Sequence, residues 1–305
     1  MFAAIPYFAL GVYNLHVPGL GNLPIDPWFT LVCVGFVVGL EVSRYRGIKL
    51  GLDVRDIVDG AVFTVLMGFF VGHVFTVVAY FPERLKTEGI WSILRVWEGF
   101  SSIGGFLGAV LGATLFYKVI RKRDPWRHAD VIMYGFPFGW IFGRMGCSVV
   151  HDHVGRSTHF FLGMYFPAHT LRLLDGSWAP AGVRYELGIL EMLYTIGIAA
   201  LFWWLGRKDR PPGFFLAMWA LVYSPARFAL DFLRNTDLYF HDDRYFGLTP
   251  AHYASLFMFV AGIWLWSTLD FEHFKPWPLD GKPNQADRAA AEPPGAPLDA
   301  EAADG

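Results

Sequence analysis

The sequence predicts an all-α integral membrane protein of about seven transmembrane helices, with a small outer cap and a disordered C-terminal tail. Three observations carry this expectation. Hydrophobic residues make up 54% of the chain and charged residues only 17%, where a soluble domain carries about a quarter charged. Twelve Trp and 29 Phe are more than one water-soluble core would hide, but they suit an apolar bundle with aromatic belts at both interfaces. Finally, every second connection between the apolar stretches is basic.

The stretches, in order, cover about 27–43, 57–80, 103–120, 129–149, 187–205, 213–233 and 250–269, each near the ~20 residues that span a bilayer. Arg44, Arg46 and Lys49 follow the first. Lys118, Arg121, Lys122, Arg123 and Arg127 lie between the third and fourth, and Arg207, Lys208 and Arg210 between the fifth and sixth. Short basic loops stay cytoplasmic, so the N-terminus and the 81–102, 150–186 and 234–249 connections are expected outside and the C-terminus inside. Arg84, Lys86, Arg95, Arg156, Arg172, Arg184, Arg234 and Arg244 remain in the outer loops, where they are candidates for functional cations. The first 20 residues lack a basic start and an unbroken apolar core, and so read as part of the mature protein.

Residues 1–275 form the expected membrane domain. Within it, 150–186 mixes aromatics with Gly, Pro and His and is expected to cap the outer face. Residues 276–305 are rich in Pro, Ala and acidic groups and read as a disordered cytoplasmic tail. No repeat of fixed period is visible. The net charge of -2 decides nothing about partners, and with no sustained basic face no nucleic-acid binding is expected. Cys33 and Cys147 are the only cysteines, which excludes a disulfide framework and leaves each as a small core residue or a local site residue.

Three segments carry candidate chemistry. In the third stretch Gly104, Gly105, Gly108 and Gly112 fall near one helical face, read either as tight helix packing or as room for a lipid headgroup. The segment GRMGCSVVHDHVGR at 143–156 gathers Arg144, Cys147, His151, Asp152, His153 and Arg156 where the fourth stretch leaves the membrane. A charge there is costly unless it faces a polar cavity or snorkels to the interface. In the sixth stretch Arg227, Asp231 and Arg234 follow at i, i+4 and i+7, one helical face. They form either a structural ion-pair ladder or a phosphate clamp whose Asp orients a guanidinium fork. Cys147, His151 and His153 are metal-ligand types, joined by His73 from the second stretch, but their spacing matches no usual structural zinc pattern. Neither a metal nor a cofactor is expected. His73, alone at membrane depth, reads either as an interhelical hydrogen bonder or as a candidate catalyst.

Together these motifs resemble the phosphatidylglycerol-prolipoprotein diacylglyceryl transferases of bacterial inner membranes. That family's stretch, approximately GRxGNFxNxExxGR, is matched here by Gly143-Arg144, Gly146, Asp152 and Gly155-Arg156. Its late Arg, acid and second Arg match Arg227, Asp231 and Arg234, with Tyr223 four residues before. Trp97-Glu98-Gly99 matches the entry to its glycine-rich span and Tyr80 the end of its second span. The chain departs at the family's HGG, which is Ile103-Gly104-Gly105, so the family's essential His is missing. Cys147 and Val150 replace two Asn, Asp152 replaces a Glu, Gly72-His73 replaces a GR, and Trp28 stands for a Tyr.

The resemblance implies transfer of the diacylglyceryl group of phosphatidylglycerol to the lipobox cysteine thiol of a prolipoprotein signal peptide, releasing glycerol phosphate. It implies membrane lipids as surroundings. Arg144, Arg227, Asp152, His151, His153 and His73 are then the catalytic candidates, the histidines as replacements for the missing base. Arg144, Arg227, Arg234, Asp231, Tyr223, Tyr80, Gly104, Gly105, Gly155 and Arg156 are the substrate-binding candidates. A related transferase with another acceptor, and a non-catalytic lipid-binding protein, are the alternative readings.

Overall fold

A computed structural model describes residues 5–19, 21–96, 99, 101–276 and 279. The expected tail lies outside the described residues except at 276 and 279, as do Trp97 and Glu98. The chain is mostly helical. Its long elements are α1 (Pro27–Lys49), α2 (Val54–Phe75, running on into a π-helical turn Thr76–Tyr80), α5 (Ser102–Thr114, with a π-helical turn Leu115–Ile120), α6 (Pro125–Val150), α7 (Leu187–Leu205), α8 (Phe214–Asp231) and α9 (Pro250–Thr268). Two short helices, α3 (Pro82–Glu88) and α4 (Trp91–Leu94), lie between α2 and α5.

The helices start where a side chain can take the first free N–H groups. Asp26 accepts from Phe29 N at 2.7 Å and Asp124 from Trp126 N at 3.0 Å, each followed by a proline at the first helical position. Asp53 caps α2 through Arg55 N at 2.8 Å. Among the described residues four helices are long and apolar enough to cross a membrane: α1, α2 with its π turn, residues Ile103–Ile120, and α7.

Glycine decides how the helices meet. In α1 and α6, Gly35, Gly39, Gly135 and Gly139 let two backbones touch. A Cβ on Gly139 would stand 2.4 Å from Gly35 O, and one on Gly35 2.5 Å from Gly139 O. Both helices carry the small-xxx-small spacing that permits such approach. The α2–α5 seam is similar, with Gly104 against Phe75 and Gly72, and Gly108 against Met67 O. The aromatic core lies between α6, α7 and α8, built on Tyr134, Phe202, Phe215, Trp219 and Tyr223.

The all-α expectation omitted two small sheets. Strands β1 (Ile5–Pro6), β4 (Val154–Ser157), β5 (Met164–Phe166) and β6 (Gly182–Glu186) form one sheet in the order β1-β5-β6-β4, while β2 (Tyr13–Val17) and β3 (Gly21–Ile25) pair as a hairpin. Residues between α6 and α7 supply three of those strands, over a satellite core of Val154, Met164, Phe166 and Leu238. The strands are too short for a periodic pattern to announce them.

At the opposite end of the bundle the basic connections are built into the structure. Buried Arg46 donates to Gly206 O at 2.5 Å and Lys208 O at 3.0 Å. Arg127 forks onto Asp209 at 2.9 and 3.2 Å. Asp130 accepts from Phe215 N at 2.6 Å and so fixes the start of α8. These residues read in sequence as topology signals, yet they also join α1, α6 and the α7–α8 connection.

Gly139→Leu is expected to lower stability by about 1–3 kcal/mol through forced separation of α1 and α6. Thermal unfolding in detergent measures it against Gly197→Leu, where a Cβ meets nothing within 4 Å. Equal unfolding temperatures for the two variants would refute the seam's role.

Candidate active site

The site lies at the end of the bundle that carries the four-stranded sheet. Helix α6 stops at His151, which takes a left-handed conformation with φ 53° and ψ 40°. For a residue with a Cβ this costs roughly 1–3 kcal/mol, and the surroundings hold it there. His151 Nδ1 meets Glu186 Oε2 at 3.1 Å, Nε2 meets Phe8 O at 2.5 Å, and the ring stacks on Tyr7 at 4.8 Å. Burial works against charging this ring, but the hydrogen bonds to Glu186 and Phe8 outweigh it and raise the imidazole above its ordinary value. Burial also pushes the Glu186 carboxyl up, opposed by its bond with His151. The turn at His151 sends Asp152 and His153 back over the last turns of α6.

Arg144 is the residue they return to. Its NH1 lies 3.5 Å from His153 Nε2 and 3.9 Å from Cys147 Sγ, and its NH2 is 3.5 Å from the Tyr223 hydroxyl. The guanidinium sits 4.5 Å from the centre of the Trp140 ring, a face that attracts a cation. His153 Nδ1 meets Asp152 Oδ1 in a short hydrogen bond. When Nδ1 carries the proton and gives it to Asp152, Nε2 presents its lone pair toward Arg144.

The centre of the site is Glu191, which the sequence reading missed. Its carboxylate is 1% exposed and lies between two arginines. Oε1 is 3.0 Å from Arg144 Nε and Oε2 is 3.9 Å from Arg227 Nε. The Tyr223 hydroxyl donates to Oε1, and Trp140 Nε1 donates to that hydroxyl at 3.3 Å. Arg144 Nε is buried without a directed hydrogen bond, so its contact with Glu191 is coulombic. Glu191 is the only charged residue of α7, and an ionisable residue inside so apolar a helix is itself the signal of a site.

Arg227 pairs with Asp231 at 2.8 Å, one turn apart on α8. Asp231 is further held by the Thr249 hydroxyl and by His252 Nδ1 at 3.3 Å. Arg234 does not continue this face. Helix α8 ends at Asp231, and Arg234 turns to Asp242 at 2.5 Å, so the expected i, i+4, i+7 ladder stops at two members. Pro225 frees the carbonyl one turn back in α8.

The remaining candidates are placed apart from Arg144 and Arg227 in the hydrogen-bond network. Both ring nitrogens of His73 meet carbonyls, Gly99 O and Ser92 O, each at 2.9 Å. It thereby anchors the α4–α5 connection to α2. Gly104 serves the α2–α5 packing, and a Cβ on Gly72 would meet Gly105 N at 3.2 Å. Gly155 is squeezed against Leu233 O, where a Cβ would come within 2.6 Å. Arg156 is exposed, with its backbone N–H on Leu233 O at 2.8 Å. Tyr80 is half exposed and edge-on to Phe75. Several outer-loop cations are spent on structure. Arg184 forks onto Asp237 at 3.0 and 2.5 Å, and Arg172 lies 4.0 Å over Trp178. Cys147, Asp152 and His153 bring three metal-ligand types within 4.8 Å of one another. The Arg144 guanidinium beside them is a positive charge that a divalent cation would have to displace.

Long apolar helices around a buried cluster of arginines and carboxylates define an integral membrane protein with a buried ionic site. The chain belongs to the prolipoprotein diacylglyceryl transferase family, whose model matches residues 17–268. It is 31% identical over 273 residues to the phosphatidylglycerol--prolipoprotein diacylglyceryl transferase of Burkholderia mallei (strain SAVP1), covering 80% of this chain and 90% of the relative. It is also 26% identical over 245 residues to the phosphatidylglycerol--prolipoprotein diacylglyceryl transferase 2 of Clostridium perfringens (strain 13 / Type A), covering 76% and 89%. The protein is a transferase.

Glu191→Leu leaves two buried guanidiniums facing each other, and removal of one member of a buried ion cluster costs about 3–5 kcal/mol. Thermal unfolding should show that loss, and a variant as stable as the parent would argue against the bridge. The raised His151 value adds stability that is complete below the ordinary histidine range and is lost as pH rises through the folded-state value. Amide exchange across Val154–Ser157 should therefore quicken as pH rises, beyond the intrinsic rate, and the His151→Asn variant should not show this step.

Proposed function

We propose that this protein transfers the diacylglyceryl group of phosphatidylglycerol to the lipobox cysteine thiol of a prolipoprotein signal peptide, with glycerol phosphate as the leaving group. In this reading all seven long helices cross a bacterial inner membrane, the sheet caps the outer face, the N-terminus is outside and the C-terminus is cytoplasmic. The observation that carries the chemistry is the convergence of Arg144 and Arg227 on one buried carboxylate, with the Asp152–His153 pair beside Arg144.

Carbon–sulfur bond formation here needs a thiol proton removed and a phosphate accepted. The acceptor thiol gives its proton to His153 Nε2, while Asp152 fixes the ring and stabilises the imidazolium. Sulfur attacks the glyceryl carbon, the carbon–oxygen bond to phosphate breaks, and its electron pair stays on the phosphate oxygen. Arg144 and Arg227 stabilise the growing charge with donors already in place. Arg234 NH1, buried without a hydrogen-bond partner, suits an anionic headgroup. Glu191 neutralises the two arginines before the lipid arrives. His151 and His73 each hold a backbone carbonyl with the ring, whereas His153 Nε2 faces the Arg144 guanidinium at 3.5 Å, which makes His153 the histidine suited to act as base when that guanidinium turns to the phosphate.

In an assay of lipid transfer to a lipobox peptide in phosphatidylglycerol micelles, Arg144→Lys and Arg227→Lys are each expected to lose about 10²–10³-fold in rate. His153→Ala should lose about 10²–10⁴-fold, with the deficit shrinking as the reaction pH approaches that of the free thiolate. A His153→Ala variant as active as the parent would remove His153 as base, and a parent that binds the lipid without transfer would remove the reading altogether.

A further inference from the structure

Cys147 is the one chemically capable side chain of the site that transfer leaves unused. It lies one helical turn from Arg144 on α6 and is 8% exposed. A cysteine that only filled space would face apolar atoms. Here Cys147 Sγ, a ring nitrogen of His153 and a carboxylate oxygen of Asp152 lie within 4.8 Å of one another, and Arg144 NH1 is 3.9 Å from the sulfur. His153 is bound through Nδ1 to Asp152. A thiol, an imidazole whose second nitrogen faces the Arg144 guanidinium at 3.5 Å rather than a carbonyl, and a carboxylate that orients the imidazole are the parts of a nucleophilic set. Cys33, by contrast, is exposed on α1.

We propose that Cys147, His153 and Asp152 give this protein a second activity, cleavage of an ester-linked acyl chain from a glycerophospholipid through a thioester on Cys147. This rests on the reading that such a lipid reaches the site, but not on any step of diacylglyceryl transfer. Cys147 gives its proton to His153 as its sulfur attacks the acyl carbonyl carbon. The carbonyl electron pair moves to oxygen, which the Arg144 guanidinium stabilises. The bond to the glyceryl oxygen then breaks, that oxygen takes the proton from His153, and a lysophospholipid leaves. Water next gives a proton to His153 while its oxygen attacks the thioester carbon. The Cys147 sulfur departs with the electron pair and is reprotonated, and a free fatty acid is released. The sum is ester plus water to alcohol plus acid. No standing thiolate is required, because the base takes the proton during attack.

The test uses the full chain in phosphatidylglycerol micelles, with lysophospholipid release and a hydroxylamine-labile acyl group on the protein measured beside transfer to a lipobox peptide. The parent and Cys33→Ala should release lysophospholipid and carry the acyl group. Cys147→Ala should lose both while keeping transfer, and Asp152→Asn should slow acylation about tenfold or more. Three results would each overturn the proposal: transfer without any lysophospholipid or thioester, equal lysophospholipid release by Cys147→Ala, or a hydroxylamine-stable adduct on Cys147. Acylation of Cys147 in a preparation unable to transfer would instead overturn the transferase reading and leave this one standing.

Discussion

The end of the bundle that carries the candidate site depends on Glu191 standing between Arg144 and Arg227. Two guanidiniums buried side by side would repel each other and pull water inward. A single carboxylate makes their proximity tolerable, and the cost of burying it is in turn met by the Tyr223 hydroxyl. Much of the surrounding architecture serves that arrangement. Trp140 offers its ring to Arg144 and its indole N–H to Tyr223, and Trp219 stacks on Tyr223 at 4.4 Å. Three helices that are separate in sequence are thereby tied at one point.

The arrangement also places a histidine near Arg144 although a family hallmark is absent. The histidine that the resemblance leads one to look for in the third apolar stretch is Ile103 here, and α5 contributes glycines that press against α2. A different histidine, on a different element, comes to Arg144. His151 makes that possible without meeting Arg144 in the hydrogen-bond network. Its left-handed backbone turns the chain and its ring locks the turn to Glu186, Phe8 and Tyr7. The HDH segment thus divides its labour, with the first histidine building the corner and the second presented by it.

Some of this was open to reading in the residues themselves. Arg144 and Arg227 stood out because a charge in an apolar helix demands compensation, and the same argument applied to Glu191 would have found the bridge, since α7 holds no other charge. The α1–α6 seam is also legible in the residues, as GFVVG at 35–39 and GFPFG at 135–139, a small-xxx-small spacing in each helix. Other features had no local signal. The sheet strands are three to five residues long, apart from the two-residue β1, and the four-stranded sheet joins residues 5–6 to residues 154–186. The end of α8 at Asp231, which diverts Arg234 to Asp242, depends on Thr249 and His252 from the start of α9.

By itself the sequence determined the solvent and the chemical menu. Apolar runs of bilayer length, basic connections and a few ionisable residues inside apolar helices are one-dimensional facts, because hydrophobic burial and helix formation act over short windows. Only the tertiary structure decided which histidine meets the arginines, which carboxylate neutralises them and which cations are spent on caps and loops. Those outcomes turn on hydrogen-bond geometry of a few tenths of an ångström between residues far apart in the chain, such as Arg144 and Glu191 or His151 and Phe8, and spacing along one chain carries no record of them.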